Sequence, residues 1–283
     1  MLIENIPDTF ISTPKENQDL FVHDFKMTTD TLKTKVNLRM NMFSFLQVGK
    51  KQVHFAGTSV AVNKDQSLLI RKGNCLWTEL LDTERIYYCK LFFFSERILK
   101  NFLQEHILDP FEHRKEAPFF TIENDQYITS YLDSLSSIND YPSLLSDKFL
   151  SVKFEEIMLY LIGKYGNGMK SYLRSLIVDE TSTFKEIVER YIYSDLKLEE
   201  IAFLCNMSLS TFKRHFINEY KVTPGKWLIE KRLQKAKLLL EQTQLSPSDI
   251  YMEIGYNNLS SFSTAFKNRF GFSPKDFSKS ASV

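Results

Sequence analysis

"IAFLCNMSLSTFKRHFINEYKVTPGKW", residues 201–227, returns in altered form as "IYMEIGYNNLSSFSTAFKNRFGFSPKDF", residues 250–277. Phe212, Phe216, Asn218, Tyr220, Thr223, Pro224 and Trp227 align with Phe262, Phe266, Asn268, Phe270, Ser273, Pro274 and Phe277 at an offset of 50. Upstream, Ile201, Cys205, Asn206 and Met207 align with Ile250, Ile254, Gly255 and Tyr256 at an offset of 49, so the second copy carries one extra residue in its turn. A duplicated pattern of this length speaks first about architecture.

Each copy reads as helix, tight turn, helix. Ile201, Leu204, Cys205, Met207, Phe212 and Phe216 form one apolar seam across two short helices. Asn206 and Gly255 fall where the chain must turn sharply, a place that suits residues tolerant of positive φ. Ser208 is placed to cap the second helix of the first copy. Thr223-Pro224, Ser246-Pro247 and Ser273-Pro274 each put a capping hydroxyl before a proline at the first helical position.

The second helix of such a unit enters the major groove with its outward face toward the bases. With Phe212 and Phe216 inward, Ser210, Thr211, Lys213 and Arg214 face out, together with Ser208 at the helix start. In the second copy Ser260, Ser261, Ser263 and Thr264 face out, with Asn258 in the preceding turn and Lys267 a turn further on. Arg214 suits bidentate pairing with guanine, and the hydroxyls suit base edges or phosphates. Pro224 to about Gln242 reads as one connecting helix, with Trp227, Leu228, Leu233, Ala236 and Leu240 on its buried side. Its length is about 28 Å, close to the roughly 34 Å between successive major-groove faces. One Phe-x-x-x-Phe helix would equally suit an ordinary bundle; two copies with matched caps and turns favour paired reading heads.

The segment from about Phe184 to Ser278 resembles the DNA-binding domain of AraC/XylS-type bacterial transcription regulators. "LEEIAFLCNMSLSTFKRHFINEYKVTPGKWLIEKRLQKAKLLLEQTQLSPSDI" and "IGYNNLSSFSTAFKNRFGFSPKDF" carry the likeness. It implies seven helices, two helix-turn-helix units and a connecting helix, with duplex DNA and RNA polymerase as partners. Two positions depart from the family pattern. Tyr251 replaces the small residue usual in the second unit's first helix, and Phe277-Ser278 stands for the usual Tyr-Arg.

At 283 residues the chain suits two domains, and a hydrophobic content of 43% is enough for real cores. The net charge of +1 hides an asymmetry. From Cys205 onward there are 12 Lys/Arg against 6 Asp/Glu, a balance of +6; the remainder has 24 against 29, or −5. A basic end joined to an acidic one fits duplex binding by one end only, although a solvated charged face would look the same. "MLIENIPDTF" lacks the pattern of a secretory signal, and no apolar run is long enough to span a bilayer. Cys75, Cys89 and Cys205 are odd in number without CxxC spacing, which suggests free thiols in the cytoplasm. Packing as small hydrophobes outweighs redox sensing for Cys75 and Cys89.

From Asn41 to about Phe94, short β-branched and aromatic runs alternate with turn signals. "MFSFLQV", "QVHFA", "SVAV", "SLLI" and "RIYYCKLFFF" suggest an antiparallel sandwich or barrel. "KDQSLLIRKGNCLW" is similar to the later part of a cupin barrel, the common N-terminal domain of the same regulators. A divalent ion needs three or four converging donors. His54 stands alone as a half-exposed strand residue, and His23, His106 and His113 lie outside the candidate strands. The barrel is therefore read as metal-free, cofactor-free and non-catalytic, though able to enclose a small ligand. Phe43, Phe45, Phe55, Trp77 and Tyr87 are the candidate lining residues, with ordinary core packing as the competing reading. "SERILKNFLQEHIL", capped by Ser95, "DQYITSYLDSLSSI" and "SDKFLSVKFEEIMLYLIGKYG" read as helices, the last stopped by Gly166-Asn167-Gly168. The wide apolar surface of the last could serve a homodimer. "MKSYLRSLIVDETST" reads as a bridge, with the polar 179–183 stretch as linker.

The expectation is an α+β protein: a cupin-like sensory or dimerisation domain with helical extension over 1–178, and an all-α DNA-binding domain over 179–283. Its function is sequence-specific transcription regulation through two successive major grooves, with the first domain sensing a small molecule. An alternative is control by a protein partner docking on that domain. A cupin enzyme fused to a DNA-binding tail is remote, because metal ligands and a nucleophile–base pair are missing.

Overall fold

Strand formation starts well before the turn signals at Asn41. The computed structural model describes residues 3–11, 18–107, 116–138, 147–177, 183–243 and 245–281. Ten strands form two five-stranded sheets: β1 (Ile3–Ile6), β2 (Leu20–Met27), β3 (Thr31–Leu38), β4 (Asn41–Val48), β5 (Lys50–Phe55), β6 (Thr58–Val62), β7 (Gln66–Ile70), β8 (Gly73–Leu80), β9 (Tyr87–Phe94) and β10 (Phe119–Glu123). One sheet runs β1-β3-β8-β5-β6 and the other β10-β7-β4-β9-β2. All pairings are antiparallel except β1 with β3. β1, β2, β3 and β10 lie outside the range the turn signals marked, and β2 carries His23, which was expected outside any strand.

Burial explains the uneven look of the strand sequences. Val36, Leu38, Met42, Leu46, Val53, Leu68, Ile70, Leu91 and Phe93 share one core. They come from both sheets, so the inner faces pack on each other as in a sandwich. The second sheet is also covered on its outer face, where Phe43, Phe45, Leu69, Phe92 and Phe94 pack with helical residues. A strand buried on both faces reads as a continuous apolar run, which is why β4 and β9 carry "MFSFL" and "LFFF". At the β4–β5 turn, Gly49 has φ 95°, and a Cβ there would lie 2.5 Å from the Leu80 carbonyl oxygen. Only glycine fits.

Four helices build the outer layer: α1 (Glu96–His106), α2 (Gln126–Ile138), α3 (Asp147–Tyr165) and α4 (Asn167–Ser175). Ser95 caps α1 by accepting the Ile98 N–H at 3.3 Å. The first part of the stretch read as a bridge, Met169–Ser175, belongs to α4, and this is a correction. Gly166, at φ 57°, turns the chain but directly precedes a new helix. Met169, Tyr172, Leu173 and Leu176 recur at helical spacing and are buried in the outer core. The Tyr172 hydroxyl donates to the Leu69 carbonyl at 2.9 Å, and Arg71 donates to Ser175 Oγ at 2.8 Å, fixing α4 to β7 and the residue after it.

Contacts divide the chain into two units, Met1–Thr181 and Ser182–Val283. The boundary expected between 178 and 179, most of the 179–183 linker, and His113 lie outside the described residues. The second unit holds seven helices among the described residues: α5 (Phe184–Arg190), α6 (Leu198–Leu204), α7 (Leu209–Tyr220), α8 (Pro224–Gln242), α9 (Pro247–Ile250), α10 (Leu259–Phe270) and α11 (Pro274–Ala281). The fold is α+β, a sandwich with following helices and an all-α unit with two helix-turn-helix motifs. No described helix is long and apolar enough to cross a membrane.

Candidate nucleic-acid interface

In the first motif, α6 closes through Asn206 at φ 56°, and the Met207 N–H returns to the Ala202 carbonyl at 3.0 Å. Ser208 then caps α7, accepting the Thr211 N–H at 3.2 Å. Phe212 and Phe216 are buried, and their rings meet Phe184 on α5 and each other. Trp227 on α8 packs edge-on against Phe216 at 5.5 Å. With that face locked inward, Ser210, Lys213 and Arg214 are exposed. Thr211 is half-buried, and its hydroxyl accepts from Ser208 at 2.9 Å, so it turns further from the outer face than expected. Ser208 itself is exposed but occupied as a cap.

The second motif repeats this plan. Gly255 takes φ 84° in the turn, and the Asn258 side-chain Oδ1 accepts the Ser261 N–H at 2.7 Å to cap α10. Asn258 therefore holds the place of Ser208 and is exposed. Phe262 and Phe266 are buried with Ile250, Ile254, Leu233, Ala236 and Leu240. Ser260, Ser261, Thr264 and Lys267 are exposed, while Ser263 is half-buried. Among the described residues no carboxylate pairs with Lys213, Arg214 or Lys267, so these cations remain available to an external anion. Arg269 is engaged instead, holding both Glu230 oxygens at 2.7 and 2.8 Å.

A residue absent from the sequence expectation joins the motifs. Arg232 on α8 donates to the carbonyls of Ile192 at 2.6 Å, Ser194 at 2.7 Å and Gly255 at 2.7 Å. One guanidinium thus ties the segment after α5, the connecting helix and the second motif's turn. A Cβ on Gly255 would come within 2.7 Å of the guanidinium carbon, so this contact favours glycine where the first motif's turn accepts Asn206. The signal lay in the buried row Leu228, Arg232, Ala236, Leu240, where an arginine interrupts an apolar i, i+4 ladder. Of the three hydroxyl–proline caps, Ser273 accepts the Asp276 N–H at 3.2 Å, and Ser246 donates to the Asp249 carboxylate at 2.6 Å. Thr223 precedes Pro224 without a side-chain cap.

The five aromatic side chains expected to line a ligand space separate. Phe43 and Phe45 lie in the outer core beneath the helices, whereas Phe55, Trp77 and Tyr87 lie in the inner core between the sheets. They line no common space, because strand parity sends residues 43 and 45 to the opposite face of their sheet. Lys51 Nζ sits 3.8 Å from the Trp77 ring centre and pairs with Glu79 at 2.9 Å, both charged groups buried. His54 is buried rather than half-exposed. Among the described residues, no three His, Cys, Asp or Glu converge as a metal would need. Burial pushes the Cys75 and Cys205 thiols up to about 12 and raises the Cys89 thiol too. Protonated thiols of this kind behave as small hydrophobes.

Known proteins share both units. Residues 41–172 match the family described as the ExsA N-terminal regulatory domain, and residues 201–280 match a helix-turn-helix domain family. The HTH-type transcriptional regulator ExsA of Pseudomonas aeruginosa is 25% identical over 251 residues, covering 86% of this chain and 87% of that protein. The virulence regulon transcriptional activator VirF of Yersinia enterocolitica is 31% identical over 137 residues, 48% of this chain and 49% of that protein. A crystal structure of ToxT from Vibrio cholerae with an unsaturated fatty acid bound covers 94% of this chain and 97% of its own, at 14% identity and a TM-score of 0.42.

Proposed function

This chain belongs to the AraC/XylS-type DNA-binding transcription regulators, and we propose that it is an activator reading one asymmetric site through two successive major grooves. One observation carries the reading: two capped helices, α7 and α10, each turn a polar face outward while an identical Phe pair locks the other face inward. α8, at about 28 Å, is the right length to set the heads roughly one helical turn apart. We assign DNA binding to residues 179–283 and regulation to residues 1–178. Ser208, Ser210, Thr211, Lys213 and Arg214 would serve one half-site; Asn258, Ser260, Ser261, Ser263, Thr264 and Lys267 would serve the other. The activating role follows the name of VirF, and it makes RNA polymerase the expected partner on the promoter. A homodimer through the first unit fits two such sites in tandem.

For the input signal we favour a small molecule sensed by the first unit. A second reading, a protein partner docking on that unit, is supported by the division of the five aromatics into two separate cores. Metabolite-dependent thermal shifts of the full chain would favour the first; co-purification of a defined partner without any such shift would favour the second.

The test of the DNA reading is selection from a random duplex library by the full-length protein. The expected outcome is an asymmetric site with two blocks about one helical turn apart. The block facing Arg214 should hold the stronger preferences, since Ser260, Ser261, Ser263 and Thr264 offer no guanidinium or amide and Arg269 of α10 is held by Glu230. Affinity should fall steeply with salt, as cations release counterions from phosphates. Absence of any enriched sequence would reject the reading.

A further inference from the structure

The outward face of α7 carries an exposed apolar side chain. At about 100° per residue, Ser210, Arg214 and Ile217 fall in one band of α7 opposite Phe212 and Phe216, and Lys221 follows as the C-cap. Ile217 lies at one edge of that band, in the last third of the helix, and is 44% exposed. A single exposed apolar side chain is ordinary on most surfaces. Two observations set this one apart: its place within the reading stripe, and the residue that fills the same place in the other motif. At the offset of 50, Ile217 corresponds to Lys267, and Lys267 is exposed on α10 as Ile217 is on α7. Arg214 corresponds in turn to Thr264. The two motifs thus place unlike chemistry at equivalent positions: an ammonium on α10, a branched hydrocarbon on α7.

A hydrocarbon cannot bind phosphate, and it neither donates to nor accepts from a base edge. The major groove offers it one complementary group, the C5 methyl of thymine. We infer that Ile217 is a specificity-determining residue that packs on the methyl of a thymine in the half-site read by α7. It stands three residues beyond Arg214, about 4.5 Å along the helix, so that thymine lies about one base step from the base Arg214 reads. The inference rests on the DNA reading proposed above.

The experiment uses the full-length chain and the duplex enriched from a random library. Each thymine is replaced singly by deoxyuridine, which removes the methyl and nothing else, and affinities are measured by fluorescence anisotropy. At one thymine beside the Arg214-dependent base, the unaltered protein should lose about fourfold in affinity, the worth of one buried methyl. Ile217→Ala should bind the thymine duplex more weakly and be indifferent to uracil at that position. Ile217→Val, which keeps a branched apolar surface, should retain part of the discrimination. Ile217→Lys should lose it while its binding becomes more salt-sensitive. Identical uracil profiles for the unaltered protein and Ile217→Ala would overturn the inference, as would the lack of any methyl-dependent thymine in that half-site. Failure to enrich any duplex would instead remove the DNA reading beneath it.

Discussion

Replacing Arg232 with alanine should loosen the second motif far more than its half-buried position suggests. The side chain makes three hydrogen bonds of 2.6 to 2.7 Å to backbone carbonyls of Ile192, Ser194 and Gly255. Bonds from a charged donor contribute about 1.5–3 kcal/mol each. Three sharing one donor are not additive, and water can reach part of the vacated space, so we take about 3–5 kcal/mol for the set. That is a large share of the roughly 5–15 kcal/mol that holds a typical domain folded. Lys235→Ala is the control. It removes the 3.0 Å pair with Glu253, which also joins α8 to the second motif, but both partners are substantially solvated, at 30% and 52% exposure. Such a pair contributes under about 1 kcal/mol. Hydrogen exchange of the full chain resolves the two units separately, since each amide reports its own opening energy. In Arg232→Ala, amides of α9 and α10 should lose about a hundred- to several-thousand-fold in protection, with the first unit unchanged. Arg232→Lys should fall between, because an ammonium cannot reproduce the planar fork. Protection of α9 and α10 kept within about tenfold, or an equal loss in Lys235→Ala, would refute this account.

Arg214→Ala should relax preference at one base position, costing about 1–3 kcal/mol of discrimination there, while Lys267→Ala should weaken all sequences alike and lower the salt slope by about one. Site selection with both variants checks this, and an unchanged pattern for Arg214→Ala excludes base reading by that residue. In the first unit, burial opposes ionisation of Asp125, but hydrogen bonds from Lys164, Tyr160 and the Ile128 N–H outweigh it and hold the carboxyl at about 2. Its folded pKa lies below the ordinary value of 3.8, so its contribution is complete above that value and is lost as pH falls toward about 2. Asp125→Asn should therefore flatten the acid limb of the first unit's stability between those limits, as followed by hydrogen exchange; an unaltered acid limb would exclude the linkage.

The second unit was legible because its instructions are local. Phe212 with Phe216 and Phe262 with Phe266 set the buried face, and Asn206 and Gly255 mark turns that need positive φ. Both pairs appear twice, so chance matches were easy to discount. The first unit was legible only where turns punctuate it. β3, "TLKTKVNL", buries most of its Lys35 side chain and so looks polar in sequence although it is an inner strand. α4 was hidden by Gly166 and Gly168: they read as a stop, and α3 does end at Tyr165, but a new helix begins at once after the turn. The aromatic residues of β4 and β5 were legible as core, but not their division. Which side of a strand faces helices and which faces the other sheet depends on what covers that sheet, and that is a tertiary fact. Arg232 escaped for a related reason: a cation in an apolar row looks like surface until the carbonyls that receive it are placed.

The repeat also separates what folding demands from what recognition demands. Inward positions of the two motifs keep the same chemistry, Phe for Phe and Ile for Ile, because each must fill an equivalent space between three helices. Outward positions are released from that constraint, and there the copies diverge: Arg214 against Thr264, Lys213 against Ser263, Ile217 against Lys267. Packing cannot be the cause, since of these six side chains only Ser263 is shielded enough to be half-buried. On the proposed DNA reading, that difference is what the two half-sites would register. On that reading, two heads of unlike chemistry on one connecting helix would meet unlike half-sites, α7 specifying and α10 positioning.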